Sequence, residues 1–532
     1  MKHWFMGRKK IPRTLAIAIA AGAMLAVSAC STGIPANDSS PSNGQPIEGG
    51  TINIALSGEP TTIDAGTTQV LITRIISNHI TERLYALDAN LEPQPMLVES
   101  HDRTEDGKTY TFVLRDNVFF HDGQPLISDD VVASLERYKE LSVRGQGAMK
   151  DAKITAVDDQ TVTVAFSQPQ GNLLSALADL QAPIYPASIL NAADPGPLPP
   201  EKVIGTGPYM FASWDPGVEI VLSKYENYAA LEQEASGLHG KKVAYADELR
   251  FVGIADPATR IAALESGQYQ FGEGFFGGDD AQLIDSAVNI EASRMRLGKL
   301  MMIVNTTLPP LDNPEIRRAI QVGLNIDAFG EVLGDAENWN VAPSILTSDI
   351  PISSDAGAKD FNGGDVAEAK KRLAAAGYDG TPITIMTPTV TATETQAVVM
   401  QEQLEAMGIE TRIDVVELPV MQTRRGDPTS GWNLVSSLMP GRADITESGF
   451  LRCGNKYSYM CVAEMDQALD SYVTSLEDDE RQDAYNRIQE LFYQEVPAYL
   501  TAEFWDIYAV HDTLHGFANE VEPVLWNTWI TN

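Results

Sequence analysis

Cysteine and positive charge are both scarce in this chain. Its 532 residues include three cysteines, and 38 lysines and arginines stand against 73 aspartates and glutamates, for a formal net charge of −35. So few cysteines exclude a small fold held together by disulfides, and no further ligands cluster near them to indicate a metal site. The acidic balance disfavours nucleic acid and anionic membrane as partners. It indicates a soluble extracellular protein, or else a weak preference for cationic ligands.

Long apolar runs are scarce as well. The clearest one covers residues 14–27, which carry no charge, and it falls short of the roughly 20 residues that a membrane-spanning helix needs. Five lysines and arginines precede it. A basic start, a short apolar core and then small residues are typical of a secretory signal. The sequence therefore predicts an exported protein.

The apolar run closes with Val27, Ser28, Ala29 and Cys30, which resembles a bacterial lipobox. In that pattern the small residues admit the signal peptidase, and the thiol accepts a diacylglyceryl group. Two acyl chains are enough for stable anchoring. We therefore predict that residues 1–29 are removed and that Cys30 anchors the protein to the outer face of the cell membrane. A plain signal with an incidental cysteine is the alternative.

The other two cysteines, Cys453 and Cys461, lie eight positions apart on either side of Gly454 and Asn455. In an oxidising compartment such a pair can close a small hairpin-like loop. The sequence predicts a disulfide between them, with two free thiols as the alternative.

The order of local signals predicts a chain of two or three packed units, which its length also favours. Residues 31–50 are rich in Ser, Pro, Gly and Asn and indicate a flexible tether. A strand is predicted from Thr51, a hairpin over residues 98–115, and a helix from Ser128, with that serine as its cap. A further helix is predicted between Asp256, which precedes Pro257, and Gly267.

The second half of the chain shows a different pattern. From about Asp365 to Glu417 it alternates helix, strand, helix and strand, with Asp365 and Glu368 at capping-box spacing. Strands separated by helices predict parallel pairing with crossover helices. A long helix is predicted from Arg481 to Glu495, ended by Pro497. The fold class is therefore α/β, and we find no internal repeat.

Several stretches together resemble the family 5 extracytoplasmic solute-binding proteins, the oligopeptide, dipeptide and nickel-binding group. They follow one another in the family's order: Glu59 to Asp64, Lys108 to Tyr138, Ile204 to Tyr209, Ala262 to Gly267, and Asn305 to Ala319. No single motif is decisive, but their ordered spacing over nearly the whole mature chain is specific.

The resemblance implies a two-lobed periplasmic-binding-protein-like fold (type II, large cluster C) with an extra subdomain in the first lobe. The implied division is a signal peptide over 1–29, a tether over 30–50, a first lobe over 51–300 with an insertion at about 86–200, a second lobe over 301–505, and a return to the first lobe over 506–532. Ligands would lie between the lobes, a favoured place for small molecules.

The resemblance also implies a function. Such a protein is a monomer that captures a small solute, here a peptide in the leading interpretation, and delivers it to the permease subunits of an ABC importer. Oligosaccharides, opine-like compounds and metal chelates are alternatives within the family. A secreted hydrolase and an envelope receptor without transport are alternatives from other classes.

Four residues are implied as ligand contacts. Asp444, in Ala443-Asp444, matches an aspartate that pairs with a peptide's ammonium group in relatives; capping a turn or pairing with Arg442 is the alternative. Arg424 and Arg425 lie where some relatives meet a ligand carboxylate, and solvated surface arginines are equally consistent. Trp432 is either a pocket wall or a core residue. Ala133 replaces a tyrosine common in oligopeptide binders, so their pocket cannot be transferred whole.

Other chemistry finds little support. The stretch Gly272–Gly277 spells a dinucleotide fingerprint but lacks the later acidic partner, so no cofactor is predicted. His511 and His515 have metal-like spacing without the Glu of zinc proteases, and no metal site is predicted. No phosphate loop or nucleophile elbow is present. The sequence therefore predicts a binding protein and not an enzyme.

Overall fold

The computed structural model describes residues 45–531, apart from 276–277, 441–443 and 455–458. The predicted signal segment and Cys30 lie outside the described residues. Among the helices that the structure describes, none has both the length and the apolar character needed to cross a bilayer.

The strands in chain order are β1 Thr51–Leu56, β2 Tyr85–Leu87, β3 Pro93–Pro95, β4 Val98–Arg103, β5 Thr109–Leu114, β6 Lys153–Asp158, β7 Thr161–Ala165, β8 Tyr209–Asp215, β9 Glu219–Lys224, β10 Glu248–Gly253, β11 Phe271–Phe275, β12 Ile290–Val304, β13 Trp339–Asn340, β14 Ile383–Pro388, β15 Thr411–Val416, β16 Leu434–Pro440, β17 Ala498–His511, β18 Leu514–His515 and β19 Trp529–Ile530. The helices are α1 Leu71–Ile80, α2 Ser128–Leu141, α3 Val143–Ala148, α4 Leu173–Leu177, α5 Ala187–Leu190, α6 Pro257–Glu265, α7 Gly278–Ser286, α8 Pro314–Gly323, α9 Asp327–Glu331, α10 Val366–Ala375, α11 Thr391–Ala406, α12 Leu418–Arg425, α13 Ala463–Thr474 and α14 Asp478–Glu495.

The largest sheet draws strands from both halves of the chain, in the order β15-β14-β16-β12-β17-β11-β1-β10-β9-β8, with β13 also paired to β17. β1 is parallel to β10 and β11, and β14 is parallel to β15 and β16. Between these two parallel groups, β12 and β17 pair with each other in the antiparallel sense. The parallel pairing of β14 and β15 around α11 confirms the crossover predicted for the second half.

β12 and β17 are long strands that carry the chain between the two parallel groups. Residues Ile290–Arg296 of β12 pair with Trp505–His511, where β17 also meets β11. Residues Gly298–Val304 of β12 pair with β16 along the other edge. The ladder between β12 and β17 shifts register between Arg296 and Gly298. Such an irregularity bends a strand, and here it lies where the chain passes from one group to the other.

A buried charge cluster lies on these crossing strands. Lys299 Nζ is 3.3 Å from Glu503 Oε1, and both side chains are buried. Lys299 also donates to the Ala342 carbonyl over 3.1 Å, and Arg296 Nη1 lies 3.0 Å from Asp349 Oδ1. Burial lowers the pKa of Lys299 to about 8, although Glu503 acts in the opposite direction. Because a buried charge without its partner is costly, the cluster fixes the segment around Ala342 and Asp349 on the crossing strands.

A separate antiparallel sheet in the order β4-β5-β7-β6 forms a smaller unit within the first half. The predicted hairpin is confirmed, since β4 pairs with β5 across the turn at Gly107. The inward side chains of these strands and of α2 share one hydrophobic cluster, which includes Phe112, Val131, Leu135 and Val164. This unit therefore has its own core.

Helix ends follow local chemistry at two of three predicted sites. Asp256 caps α6 by accepting from Thr259 N over 2.8 Å, and Asp365 caps α10 by accepting from Glu368 N over 2.9 Å. Ser128, however, is the first residue of α2 and not its cap. Its hydroxyl donates to the Asp158 carbonyl at the end of β6. The carboxylate of Asp130 instead folds back and accepts from Ile127 N over 2.9 Å, which ties the residue before the helix to its first turn.

The long C-terminal helix starts earlier than predicted. α14 begins at Asp478, three residues before Arg481, because Asp478, Asp479 and Glu480 suit the positive end of a helix. It ends at Glu495 as predicted, with Val496 in the left-handed conformation at φ 46°.

The C-terminal segment returns to the first half of the chain through a buried histidine. His79 Nδ1 donates to the Ile75 carbonyl over 2.7 Å, and its Nε2 accepts from Leu525 N over 2.8 Å. The ring must be neutral to accept this bond. Burial accordingly lowers the pKa of His79 to about 4. The attachment of the C-terminal segment therefore depends on an uncharged imidazole.

Acid is expected to weaken this attachment. The unfolded chain binds a proton at His79 near its ordinary pKa of 6.5, whereas the folded chain resists protonation down to about 4. Between these two pH values the unfolded state binds more protons than the folded state. The free energy of unfolding therefore falls as pH falls, and His79 alone accounts for a loss of ~2–3 kcal/mol at pH 4.5. We expect His79→Gln to be less stable at pH 7 but to lose less further stability on acidification, as measured by urea unfolding at both pH values.

The partly buried His515 supplies the control. His515→Asn removes a histidine that does not contact Leu525, so the loss of stability that His79 causes on acidification should persist in it. An acid dependence as steep in His79→Gln as in the wild type would contradict the assignment.

Candidate functional site

The carboxyl ends of three parallel strands meet at one edge of the second-half sheet. Pro388 of β14 lies opposite Val416 of β15, and Met386 lies opposite Val435 of β16. The loops that follow these strands therefore leave from the same edge. In open α/β sheets this carboxyl edge is where ligands bind. The loop after β16 leads to Asp444, and its residues 441–443 lie outside the described residues.

Asp444 is buried at this edge, with 1% of its surface exposed. Its Oδ1 accepts from Thr446 N over 2.8 Å and from Thr446 Oγ1 over 2.5 Å, so it caps a short turn. Its Oδ2 has two longer contacts, 3.5 Å to Asn172 Nδ2 and 3.4 Å to the Tyr472 hydroxyl. The proposed partner Arg442 lies outside the described residues. One carboxylate oxygen thus serves the turn, while the other faces groups from two different units.

The contact with Asn172 is part of a wider meeting of the small antiparallel unit with the second half. Gly171 N donates to the Val473 carbonyl over 2.7 Å, and Arg481 Nη1 donates to the Gly171 carbonyl over 3.2 Å. A side chain at position 171 would collide with the Ser475 carbonyl. Glycine is therefore required for the close approach, which brings the two sides together next to Asp444.

Trp432 is a core residue as the structure places it. It has no exposed surface, and its Nε1 donates to the Arg424 carbonyl over 3.0 Å. Its ring meets the edge of Tyr459 at a centroid distance of 5.2 Å. It belongs to the hydrophobic cluster of the second half and has no accessible surface, so a solute does not contact it in this arrangement.

The two arginines lie on α12. Arg424 Nη1 is 2.7 Å from Asp414 Oδ2, and Nη2 donates to the Ser430 carbonyl over 3.2 Å. Arg425 is the next residue and is partly buried. The Arg424 guanidinium is thus already engaged by a carboxylate on the neighbouring strand, and a ligand would have to compete with Asp414 for it.

Cys453 and Cys461 are joined by a disulfide, with their Cα atoms 4.5 Å apart. The loop they close is held at two further points, since Cys453 N donates to Asp466 Oδ1 over 3.0 Å and Thr306 Oγ1 donates to the Tyr459 carbonyl over 2.6 Å. The disulfide thereby fixes the chain that follows Asp444 against the core around Trp432.

Four exposed apolar side chains follow the same carboxyl edge. Their exposed fractions are 41% for Val390, 44% for Leu418, 46% for Val420 and 37% for Leu438. Thr389 N donates to the Val416 carbonyl over 3.0 Å, which holds the first two loops together. Single exposed apolar residues are ordinary, but these share one edge of the sheet, since Val390, Leu418 and Val420 follow β14 and β15, and Leu438 lies near the end of β16. We call these four residues the apolar rim.

The corresponding edge of the first-half sheet carries buried acids instead. Glu273, in the middle of β11, accepts from Ser57 N over 2.5 Å, and Asp506 lies on β17 nearby. Burial is the main cause that raises the pKa of both carboxyl groups, and the proximity of Glu273 raises the pKa of Asp506 further. Raised carboxyl pKa values are a feature of catalytic acids. Neither side chain reaches the surface, however, with 1% and 0% exposed, so a solute cannot contact them.

Glu273 lies within the stretch Gly272–Gly277 that spells a dinucleotide fingerprint, but that pattern did not indicate its burial, and no motif indicated Asp506. Over the part of the chain that the structure describes, no group of three His, Cys, Asp or Glu side chains is placed to hold a metal ion.

Comparison with known proteins identifies the family that these features match. The model of the bacterial extracellular solute-binding proteins, family 5 Middle, matches residues 92–437. A probable peptide ABC transporter periplasmic-binding protein of Sinorhizobium fredii (strain NBRC 101917 / NGR234) is 28% identical over 472 residues, covering 84% of this chain and 87% of that protein. The oligopeptide-binding protein AppA of Bacillus subtilis (strain 168) is 25% identical over 503 residues, 88% of each chain.

Solved structures of binding proteins have a similar fold. The substrate-binding protein CtaP of Listeria monocytogenes superposes with a TM-score of 0.79 at 20% identity, covering 91% of this chain and all of that one. AgaA in complex with agropinic acid, from A. tumefaciens R10, gives 0.73 at 25% identity, with 91% and 99% covered. The likeness confirms the predicted α/β, two-lobed binding-protein fold. We call the strands of the first half with the small antiparallel unit the first lobe, and the strands of the second half the second lobe.

Proposed function

The chain belongs to the family 5 bacterial extracellular solute-binding proteins, and from this premise we propose that it is the extracytoplasmic binding component of an ABC importer. It captures a small solute between its lobes and delivers it to the permease subunits. The single observation that carries this proposal is the meeting of the two lobes beside Asp444, through Asn172 and Gly171. Closure of the two lobes at this point would enclose a solute and requires no chemical step.

A peptide is the proposed cargo. The relatives in Sinorhizobium and Bacillus are named for peptides and oligopeptides. Asp444 suits such a cargo, because among the described residues the contacts of its Oδ2 are 3.4 Å and 3.5 Å long, whereas a charge-assisted bond to an ammonium group is about 2.7–2.9 Å. A peptide's amino terminus would give this buried carboxylate a closer partner than the described residues provide.

The apolar rim supports a preference within peptides. Val390, Leu418, Val420 and Leu438 present apolar surface where cargo would lie. Burying such surface against an apolar ligand side chain is favourable, at roughly 25 cal/mol per Å². The proposed cargo therefore carries at least one apolar side chain directed at the second lobe.

An opine-like compound is the second candidate, favoured by the likeness to AgaA with bound agropinic acid. Both candidates carry a carboxylate and polar groups. They differ in the ammonium group, which a free peptide presents and which Asp444 would select.

The remaining features are proposed from the sequence. We propose export with removal of residues 1–29, a lipid anchor at Cys30, a tether up to residue 50 and a monomeric mature protein. We also propose lobes divided at 51–300, 301–505 and 506–532, with an insertion at about 86–200. The boundaries near 300 and 505 fall within the two crossing strands β12 and β17.

Purified protein is expected to bind peptides reversibly and release them unchanged. Native mass spectrometry of the protein as isolated should show retained peptide masses, and a re-added peptide at 100 times its Kd should stabilise the protein by about 2.7 kcal/mol. Deletion of the chain should abolish uptake of the same peptide by cells. Recovery of a cleaved peptide, or uptake that is independent of the chain, would contradict the proposal.

Asp444→Asn is expected to weaken binding of peptides with a free amino terminus by a factor of about 30 or more, since removing one partner of a buried charge pair costs roughly 2–5 kcal/mol. Asparagine still caps a turn, so the fold should be retained. Isothermal titration calorimetry with free and N-acetylated peptides measures the effect, and the acetylated peptides should show no such loss.

Asp427 offers a matched control, because it makes the same bonds to Thr429 N and Oγ1 over 2.9 Å and 2.7 Å on the exposed surface. Asp427→Asn should bind like the wild type. Equal affinity in Asp444→Asn and the wild type would refute the ammonium assignment.

The double variant Val390→Thr/Val420→Thr is expected to bind peptides with leucine or phenylalanine side chains about tenfold more weakly, at ~0.8 kcal/mol per apolar group lost. Peptides of glycine and serine should bind as before. Val398, which is equally exposed at 46% but lies in the middle of α11, provides the control Val398→Thr. Equal losses for both peptide classes would show that the rim does not contact the cargo.

A further inference from the structure

The turn between β4 and β5 is covered by the second lobe. Glu105 and Asp106 are exposed in this turn, whereas Gly107 at its tip is buried. A side chain built at position 107 would approach Cδ2 of Leu476 to 2.5 Å, and the three atoms nearest to it all belong to Leu476. Leu476 lies in the link between α13 and α14. The tip of a first-lobe hairpin is therefore packed against a second-lobe side chain.

Two arginines form reciprocal hydrogen bonds across this contact. Arg103 at the end of β4 donates from Nη1 to the Leu476 carbonyl over 3.3 Å, and its Nη2 lies 3.8 Å from Glu477 Oε1. In the opposite direction, Arg481 of α14 donates from Nη1 to the Gly171 carbonyl over 3.2 Å. Each lobe thus presents one guanidinium to a backbone carbonyl of the other. Because both acceptors are fixed in the backbone, these bonds form when the lobes are together in this position.

Hydrogen bonds within the first lobe hold its side of the contact together. Gln170 N donates to the Gly107 carbonyl over 3.1 Å, and the Tyr110 hydroxyl donates to the Gln170 carbonyl over 2.6 Å. These bonds tie the hairpin turn to the loop that carries Gly171, so that two separate segments meet the α13–α14 link as one surface. The residues that meet across the lobes are called the closure clamp here: Arg103, Gly107 and Gly171 of the first lobe, and Leu476 and Arg481 of the second.

We propose that the closure clamp sets how tightly cargo is held but does not select which cargo is held. Cargo held between closed lobes binds with a measured Kd equal to the Kd of the closed form divided by the closed fraction of the free protein. Residues that stabilise closure through bonds to each other change this fraction, and they therefore change the Kd of every cargo by the same factor. This inference rests on the proposed function, because it requires that the lobes close around a solute.

Gly107→Asn tests the clamp. Asparagine tolerates the left-handed conformation of Gly107, whose φ is 64°, but its side chain collides with Leu476 when the lobes are together. We expect the variant to bind a leucine-containing peptide and a peptide of glycine and serine each about tenfold more weakly, with the ratio of the two Kd values unchanged. Isothermal titration calorimetry of the purified mature chain measures both values.

Leu476→Ala provides a rescue of the same contact. It removes Cγ and both Cδ atoms, which are the atoms that a side chain at position 107 would meet. The double variant Gly107→Asn/Leu476→Ala should therefore bind both peptides like Leu476→Ala alone. Losses that simply add in the double variant would show that the two positions do not interact, since only coupled positions depart from additivity, and would overturn the proposal.

Gly123 offers the matched control. Like Gly107 it follows an aspartate and has a positive φ, of 84°, but a side chain added there would meet no described atom within 4 Å. Gly123→Asn should bind both peptides like the wild type.

Arg103→Gln is a second, milder test. It removes a partly exposed ion pair and one hydrogen bond between the lobes, so both peptides should bind about threefold more weakly, again by the same factor. Arg487 forms its ion pair within α14, with Glu490, and Arg487→Gln should bind like the wild type.

The outcomes separate the clamp from the proposed function. Absence of peptide binding by the wild type would count against the proposed function, on which the clamp rests. The clamp alone is overturned if the wild type binds both peptides and Gly107→Asn binds them equally well, or if this variant weakens the two peptides by different factors. Should Gly107→Asn fail to fold, Arg103→Gln decides by the same two criteria.

Discussion

The backbone pairing between β12 and β17 joins the two lobes into one sheet, and the position of the candidate site follows from it. The paired strands run from β16 in the second lobe to β11 in the first. Their register shifts between Arg296 and Gly298 and again between Lys299 and Met301, and the buried Lys299–Glu503 pair lies at these irregularities. Such irregularities bend strands, and bending here would let each lobe move as a unit.

The carboxyl edges of the two parallel strand groups, one in each lobe, differ in their chemistry. The second-lobe edge has exposed apolar side chains and the partly satisfied carboxylate of Asp444. At the first-lobe edge the acids Glu273 and Asp506 are withdrawn into the interior. Under the proposed function, selection of cargo by charge and by apolar contact rests with the second lobe. The first lobe supplies Gly171 and Asn172, which meet the second lobe when the two sides are together.

Features that depend on a few neighbouring residues could be predicted from the sequence. Asp256 and Asp365 cap their helices, and the alternation around α11 gives parallel strands, because each is set by local chemistry. Features set by distant packing could not. Ser128 does not cap its helix because its hydroxyl donates to a carbonyl contributed by β6, and nothing local reveals the burial of Glu273 beside Asp506. The family resemblance indicates the Asp444 segment as a ligand contact, which stays a prediction, and it does not reveal the contact of Asp444 with Asn172, 272 positions away.

The central claim is that the lobes close about the crossing strands around an unaltered guest. Small-angle X-ray scattering of the purified mature chain, first freed of retained peptide and then saturated with it, tests this most directly. Closure predicts a smaller radius of gyration and a shorter maximum dimension in the bound state. Superimposable scattering curves for the two states, at a peptide concentration where calorimetry shows full occupancy, would contradict it.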